Sequence, residues 1–228
     1  MSKAECRSYA FKKSLPILCS YIFVGMAYGM TMQMAGFGWL LSVVTSLTVY
    51  TGAFQFVLIT FLSSGASMLT VFLTALLMNS RQVFYGLSFV PLFSKMGARK
   101  WYMIHSLTDE TYAVSITLEL PEEEKKDVCF YLALFSQTYW VIGSVIGSVA
   151  GQLLPFDLTG IDFCMTALFV ILFLDQWEKA VSHTPALIGV GIGVFCLIIF
   201  GANRFMLPAL LISSGLLLLT GRKEERHA

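Results

Sequence analysis

The residues of this chain that could do chemistry come in short clusters inside otherwise apolar sequence. Thr51-Gly52-Ala53-Phe54-Gln55 and Asn79-Ser80-Arg81-Gln82 interrupt two long apolar runs, and Thr108-Asp109-Glu110-Thr111 brings two adjacent carboxylates. A peptide group in hydrocarbon must be hydrogen-bonded, so irregular backbone is tolerated there only beside protein or a water-filled cavity. A break at Thr51-Gly52 would start a half-helix at Ala53, whose free N–H groups and positive dipole end attract an anion. A small carboxylate suits such a site, with Gln55 one turn on as a second contact. The plainer alternative is one continuous helix with Gly52 at a packing contact.

Arg81 lies in an apolar run, where a charge costs about 2.5–3.5 kcal/mol even on the lenient insertion scale. It needs an anionic partner, for which Asp109, Glu110, Asp175 or a substrate carboxylate qualify. Alternatively a span ends near Asn79 and the Arg81 side chain reaches the headgroups. On a helix Asp109 and Glu110 point about 100° apart. They are candidates for proton coupling or for holding a ligand ammonium, against the alternative of a solvated helix end. Asp175-Gln176 reads as interfacial, and Asp162 and His183 as loop-edge residues. The five cysteines and three histidines are scattered, with no CxxC, GxSxG, HExxH or P-loop. These absences point away from an enzyme, a metal site, a cofactor and ATP-driven work.

The elements that must position these residues follow from composition. The 228 residues are 57% hydrophobic and 13% charged, where a soluble domain is about 25% charged; the mean hydropathy is +0.74. The fold class expected is an all-α polytopic integral membrane protein in the lipid bilayer. The net charge of +1 gives no bias toward nucleic acid. Apolar runs lie at 15–35, 39–62, 66–93, 128–154, 161–177, 185–201 and 205–220. The stretch 101–120 is either a polar transmembrane helix lining a cavity or an amphipathic helix at the surface. Residues 121–127 read as a loop. About seven or eight membrane helices result, some of them discontinuous. They form one transmembrane domain over 1–228: a first helix group at 15–93, a polar connector at 94–127 and a second group at 128–220.

Lys3, Arg7, Lys12 and Lys13 keep the N-terminus in the cytoplasm by the positive-inside rule. The basic loop at 95–100 then falls on the outer side if all three preceding runs cross, unless one of them is re-entrant. Gly25 and Gly29, and Gly143, Gly147 and Gly151, have the spacing that lets helices approach closely. Gly25-xxx-Gly29 followed by Asn79-Ser80-Arg81 has a loose echo in Gly143-xxx-Gly147 followed by Asn203-Arg204, a weak internal repeat of the kind transporter halves carry.

Taken in order, several of these segments resemble the AzlC-type branched-chain amino acid permeases. The resemblance is carried by Leu15-Pro16 opening a helix with Gly25 and Gly29, by Tyr50-Thr51-Gly52-Ala53-Phe54-Gln55, and by Asn79-Ser80-Arg81-Gln82 with Tyr85-Gly86. Thr108-Asp109-Glu110, Gly160-Ile161-Asp162-Phe163 and Ala167-Leu168-Phe169 complete it. It implies the large subunit of a two-component exporter of leucine, isoleucine, valine or similar apolar amino acids, in a bacterial inner membrane, with a small AzlD-like membrane subunit as partner. Thr51, Gly52, Ala53, Phe54, Gln55, Asn79, Arg81 and Gln82 are then the substrate-binding candidates, and Asp109, Glu110 and Asp175 the coupling candidates. The substrate side chain would lie among Phe54, Phe56 and Met78. The family commonly has Asn-Leu-Arg-His where this chain has Asn79-Ser80-Arg81-Gln82, so Gln82 offers no titratable group. The rival functions are a small-solute channel or ion exchanger using Arg81 with Asp109 or Glu110, and a non-transporting scaffold that assembles through its glycine faces.

Overall fold

Two long apolar runs pack against each other along their glycines, and the short helices of residues 39–64 and 99–116 are arranged on that pair. The computed structural model describes residues 1–153 and 182–201, with short stretches at 170, 173–174, 177–178, 205, 208–209, 211–213 and 215–217. Asp162, Asp175, Asn203, Arg204 and the segments 160–163 and 167–169 lie outside the described residues, as does the side chain of Arg81. Among the described residues the helices are, in order, α1 (Lys3–Met34), α2 (Trp39–Thr48), α3 (Ala53–Ser64), α4 (Met68–Ser94), α5 (Arg99–His105), α6 (Asp109–Ile116), α7 (Glu122–Leu153) and α8 (Thr184–Phe200). Of these, α1 and α7 are each long and apolar enough to cross a membrane.

The chain divides into two compact units, one of residues 1–64 and 79–158, the other of residues 65–78 and 159–228. In the first unit α1 and α7 run side by side and parallel. Phe11 meets Phe135 with ring centroids 5.6 Å apart and Tyr21 meets Trp140 at 5.4 Å. Further along, Ser148 Oγ donates to the Gly29 carbonyl at 3.0 Å and Gln152 Nε2 to Gln33 Oε1 at 3.2 Å. Residue numbers rise together on both helices, so their N-terminal ends lie together. Small residues make the approach possible. A Cβ on Gly29 would fall 1.9 Å from the Ser144 carbonyl oxygen, and one on Gly147 1.9 Å from that of Met26. Gly25 and Gly143 also meet directly, whereas Gly151 faces the flexible side chains of Gln33 and Met30.

Helix α1 starts at a capping box between Ser2 and Glu5. Helix α7 corrects the reading of 121–127 as a loop: Pro121 precedes the first turn, and Glu122, Glu123 and Glu124 occupy it. Acidic side chains there complement the positive end of the helix dipole, so a hydrophilic stretch is a helix start. Lys95 pairs with Glu122 at 2.7 Å and Arg99 with Asp127 at 2.8 Å. The hydrogen bond from Lys95 holds the Glu122 carboxyl below the usual range. The basic turn after α4 is thereby fastened to the N-terminal end of α7.

The two polar clusters of the apolar runs differ. The run 39–62 is not one helix, since α2 ends at Thr48 and α3 begins at Ala53. Through Asn79-Ser80-Arg81-Gln82, by contrast, α4 is continuous, because the intrahelical ladder satisfies the backbone there. The stretch 101–120 is neither of the two single helices expected. It is the short pair α5 and α6, parted at Ser106-Leu107-Thr108. In the second unit α8 begins with Pro185 in its first turn and ends at Gly201, φ +71°; Trp177 stacks on His183 with centroids 4.1 Å apart.

Candidate functional site: two helix breaks at mid-depth

Helix α2 comes in from the C-terminal end of the α1–α7 pair. The Ser42 and Ser148 hydroxyls share a hydrogen bond at 2.9 Å, the Ser46 and Ser144 hydroxyls share one at 3.0 Å, and the Leu47 carbonyl accepts from Gln137 Nε2 at 3.4 Å. Rising numbers on α2 meet falling numbers on α7. Helix α5 comes in from the other end, through the Arg99–Asp127 pair, the Tyr102–Phe130 ring contact at 5.7 Å and the Tyr102 hydroxyl donating to Gln137 Oε1 at 2.9 Å. The chain then turns back. Thr108 meets Tyr21, and the Leu118 carbonyl accepts from Lys125 Nζ at 2.9 Å, near where α5 began. Both breaks therefore lie at the level of Tyr21, Gln137 and Trp140.

An interrupted helix leaves carbonyls at one end and N–H groups at the other without intrahelical partners. At the end of α2, His105 Nε2 lies 2.8 Å from the Leu47 carbonyl. A carbonyl only accepts, so Nε2 carries the proton. The chain then passes through two left-handed residues, Tyr50 at φ +38° and Gly52 at φ +57°. For Gly52 this is free, but for tyrosine it costs roughly 1–3 kcal/mol, a strain that clusters at functional sites. Helix α3 follows, with its first N–H groups at Ala53 and Phe54.

Around this break lie buried polar atoms with no hydrogen-bond partner: Tyr50 Oη, Thr51 Oγ1, both amide atoms of Gln55 and Trp140 Nε1. Gln55 is 0% exposed, Tyr50 and Trp140 3% each. The Tyr28 hydroxyl is near the Gln55 amide but pairs with Thr45 Oγ1 at 2.6 Å. Aromatic rings wall the site: Tyr28 stacks on Trp140 at 6.1 Å and meets Phe56 edge-on at 5.5 Å. An unpaired buried polar group costs about 1–3 kcal/mol, so several together in an apolar shell mark a place built for a polar guest.

The second break presents the carboxylate of Glu110. Tyr21 Oη donates to Glu110 Oε2 at 2.6 Å. That proton is then committed, so the Thr108 hydroxyl, 2.7 Å away, donates to Tyr21. Thr108 is held in turn by a capping box with Thr111. Glu110 is exposed and Asp109 half-buried.

The sequence-derived candidates thus separate. Thr51, Gly52, Ala53, Phe54 and Gln55 form the first break, and Glu110 belongs to the second. Asn79 and Gln82 are half-buried on α4, and among the described residues neither hydrogen-bonds to the first break. A cleft of about 280 Å³ near the N-terminal end of α7, lined by Phe89, Leu92, Lys95, Ile116, Glu122 and Lys125, contains none of them. Residue-type reasoning missed Tyr21, Tyr28, Tyr50, Tyr102, His105, Gln137 and Trp140. One signal was available: Tyr21 and Tyr28 are seven apart and so share a helix face, the face that also carries Gly25.

Comparison with known proteins places the chain. The family described as AzlC protein matches residues 16–154, more than half of it. The branched-chain amino acid transport protein AzlC of Bacillus subtilis strain 168 is 34% identical over 218 residues, 95% of this chain and 86% of that protein. An uncharacterized membrane protein of Helicobacter pylori strain 26695 is 40% identical over 205 residues, 89% of this chain and 90% of its own length. Inner membrane protein YgaZ of Escherichia coli K12 is 34% identical over 196 residues, covering 80% of this chain and 79% of that protein. No solved structure matches.

Proposed function

The chain belongs to the AzlC protein family, and on that premise we propose that it is a secondary membrane transporter exporting leucine, isoleucine, valine or similar apolar amino acids. It works with a small AzlD-like membrane subunit, in a bacterial inner membrane with its N-terminus in the cytoplasm. The observation that carries the reading is the fully buried Gln55, with both amide atoms unpaired, in the first turn of the short helix α3. The substrate carboxylate meets the N-terminus of α3 at Ala53, where dipole and N–H groups favour an anion. Thr51, Gln55 and Trp140 supply the side-chain hydrogen bonds, and Gly52 the backbone turn. Phe54 and Phe56 receive the apolar side chain. Asn79, Arg81 and Gln82 are proposed as further polar contacts from α4, and Asp109, Glu110 and Asp175 as coupling candidates. The name of the Bacillus relative supports the substrate class.

Counterflow of labelled leucine or valine in proteoliposomes, with and without the small subunit, tests this. Exchange that is lost in Gln55→Ala and Arg81→Ala supports it. Ion flux without amino-acid exchange identifies a channel or ion exchanger instead, and a stable complex that carries no flux identifies a scaffold.

A further inference from the structure

Glu110 is an exposed carboxylate of the first unit, held by Tyr21 at the level of the apolar part of α1. Its partner Tyr21 lies six residues beyond Leu15, which at 1.5 Å per residue is roughly 9 Å into the apolar part of α1. An ionisable group at such depth faces a protein partner or a water-filled path, not lipid. Among the described residues no cation pairs with Glu110. Its Oε2 is held by Tyr21 and, through Tyr21, by Thr108. Hydrogen bonds of this kind fix the direction of the carboxylate. The Tyr21 ring meets that of Trp140 with centroids 5.4 Å apart, and Trp140 Nε1 is one of the unpaired groups of the first break. The unpaired groups at the start of α3 and this carboxylate are therefore two ends of one polar region.

An α-amino acid is a zwitterion with a few ångströms between its charges. The start of α3, with Thr51 Oγ1, the Gln55 amide and Trp140 Nε1–H, is the donor-rich end; Glu110 is the anionic end. We propose that Glu110 binds the α-ammonium of the transported amino acid and that Tyr21 is its positioning residue. This rests on the transport reading above and adds the group that distinguishes an amino acid from the corresponding carboxylic acid. An ammonium at Glu110 offsets the charge of that carboxylate while substrate is bound, and the substrate carboxylate is met at the start of α3.

The probes are L-leucine and 4-methylpentanoate, which is leucine without its amino group. In counterflow with the unaltered protein, leucine should compete for labelled leucine at least about tenfold better than 4-methylpentanoate. Glu110→Gln should raise the KM for leucine by about tenfold or more with a smaller change in maximal rate, and should remove the preference over 4-methylpentanoate. Tyr21→Phe should shift both in the same direction by less, and Glu110→Asp should restore part of the preference. Glu110→Gln with KM and preference unchanged overturns the assignment while leaving the transport reading intact. So does exchange that persists unchanged and loses only its response to an imposed pH gradient, which would make Glu110 a proton carrier. If the variants do not fold, thermal stabilisation of the unaltered protein still decides: equal stabilisation by leucine and 4-methylpentanoate overturns the proposal. Absence of leucine exchange by the unaltered protein, with its small subunit present, instead removes the transport reading and this inference together.

Discussion

A glutamine that is fully buried with neither end of its amide hydrogen-bonded costs stability, so its presence needs a reason other than packing. Removing it should be harmless to the fold: Gln55→Met has similar length, keeps apolar contact with the surrounding rings and abolishes an unmet polar group worth about 1–3 kcal/mol. We expect thermal stability in detergent to stay level or rise while amino-acid exchange is lost. A melting temperature that falls by several degrees would instead give Gln55 a structural role. Thr45 is the control, since its hydroxyl is paired with Tyr28, and Thr45→Val should cost roughly 1 kcal/mol. At this scale the sequence was partly legible. Gln55 stood out because an amide in an apolar run is rare, whereas Tyr50 and Trp140 did not, because an aromatic residue in such a run looks like packing until its polar atom is found unpaired.

Between elements, the parallel contact of α1 and α7 depends on backbone touching backbone. Gly29 and Gly147 each have a carbonyl oxygen of the facing helix 1.9 Å from where a Cβ would be. Neither carbonyl can move without separating the helices, so Gly29→Ala and Gly147→Ala should each destabilise by about 1–3 kcal/mol or more. At Gly151 the neighbours are the flexible side chains of Gln33 and Met30, and alanine there should be tolerated. Gly52 is different again: nothing lies within 4 Å of the added Cβ, and only its φ of +57° resists substitution. Gly52→Ala should cost about 1–2 kcal/mol through backbone strain alone. Thermal melts of the four variants should rank Gly29 and Gly147 as most damaging and Gly151 as least; damage at Gly151 equal to that at Gly29 would mean the helices cross elsewhere. The Thr51-Gly52 break was legible because a turn residue in an apolar run has few other uses. The break at Ser106-Leu107-Thr108 was not, although Thr108 with Thr111 carries a capping signal. Its two helices, of 7 and 8 residues, are too short to show a periodicity of their own.

Across the whole molecule, apolar composition made the membrane class readable, but topology depends on pairings between distant residues that no single run contains. Lys95 with Glu122 and Arg99 with Asp127 fasten the turn after α4 to the N-terminal end of α7, which lies beside the N-terminal end of α1. From the far end of α1 to Lys95 the chain must therefore cross the bilayer an odd number of times. Helices α2 and α3, with 10 and 12 residues, are about 15 and 18 Å long against a hydrocarbon layer of about 30 Å. Helix α4, with 27 residues, is about 40 Å long. The arrangement we expect has α4 as the single crossing, with α2 and α3 entering and returning on the same side. In that arrangement the basic loop at 95–100 would share the side of the N-terminus, in keeping with the positive-inside rule. Single cysteines placed in a cysteine-free background at Ser2, Gly38 and Lys95, probed with a membrane-impermeant maleimide on intact cells and on inside-out vesicles, test the arrangement. Ser2→Cys and Lys95→Cys should react from the same side and Gly38→Cys from the opposite one. Labelling of Lys95→Cys together with Gly38→Cys would mean that α2 and α3 cross as one span, and that the parallel pairing of α1 with α7 is wrong.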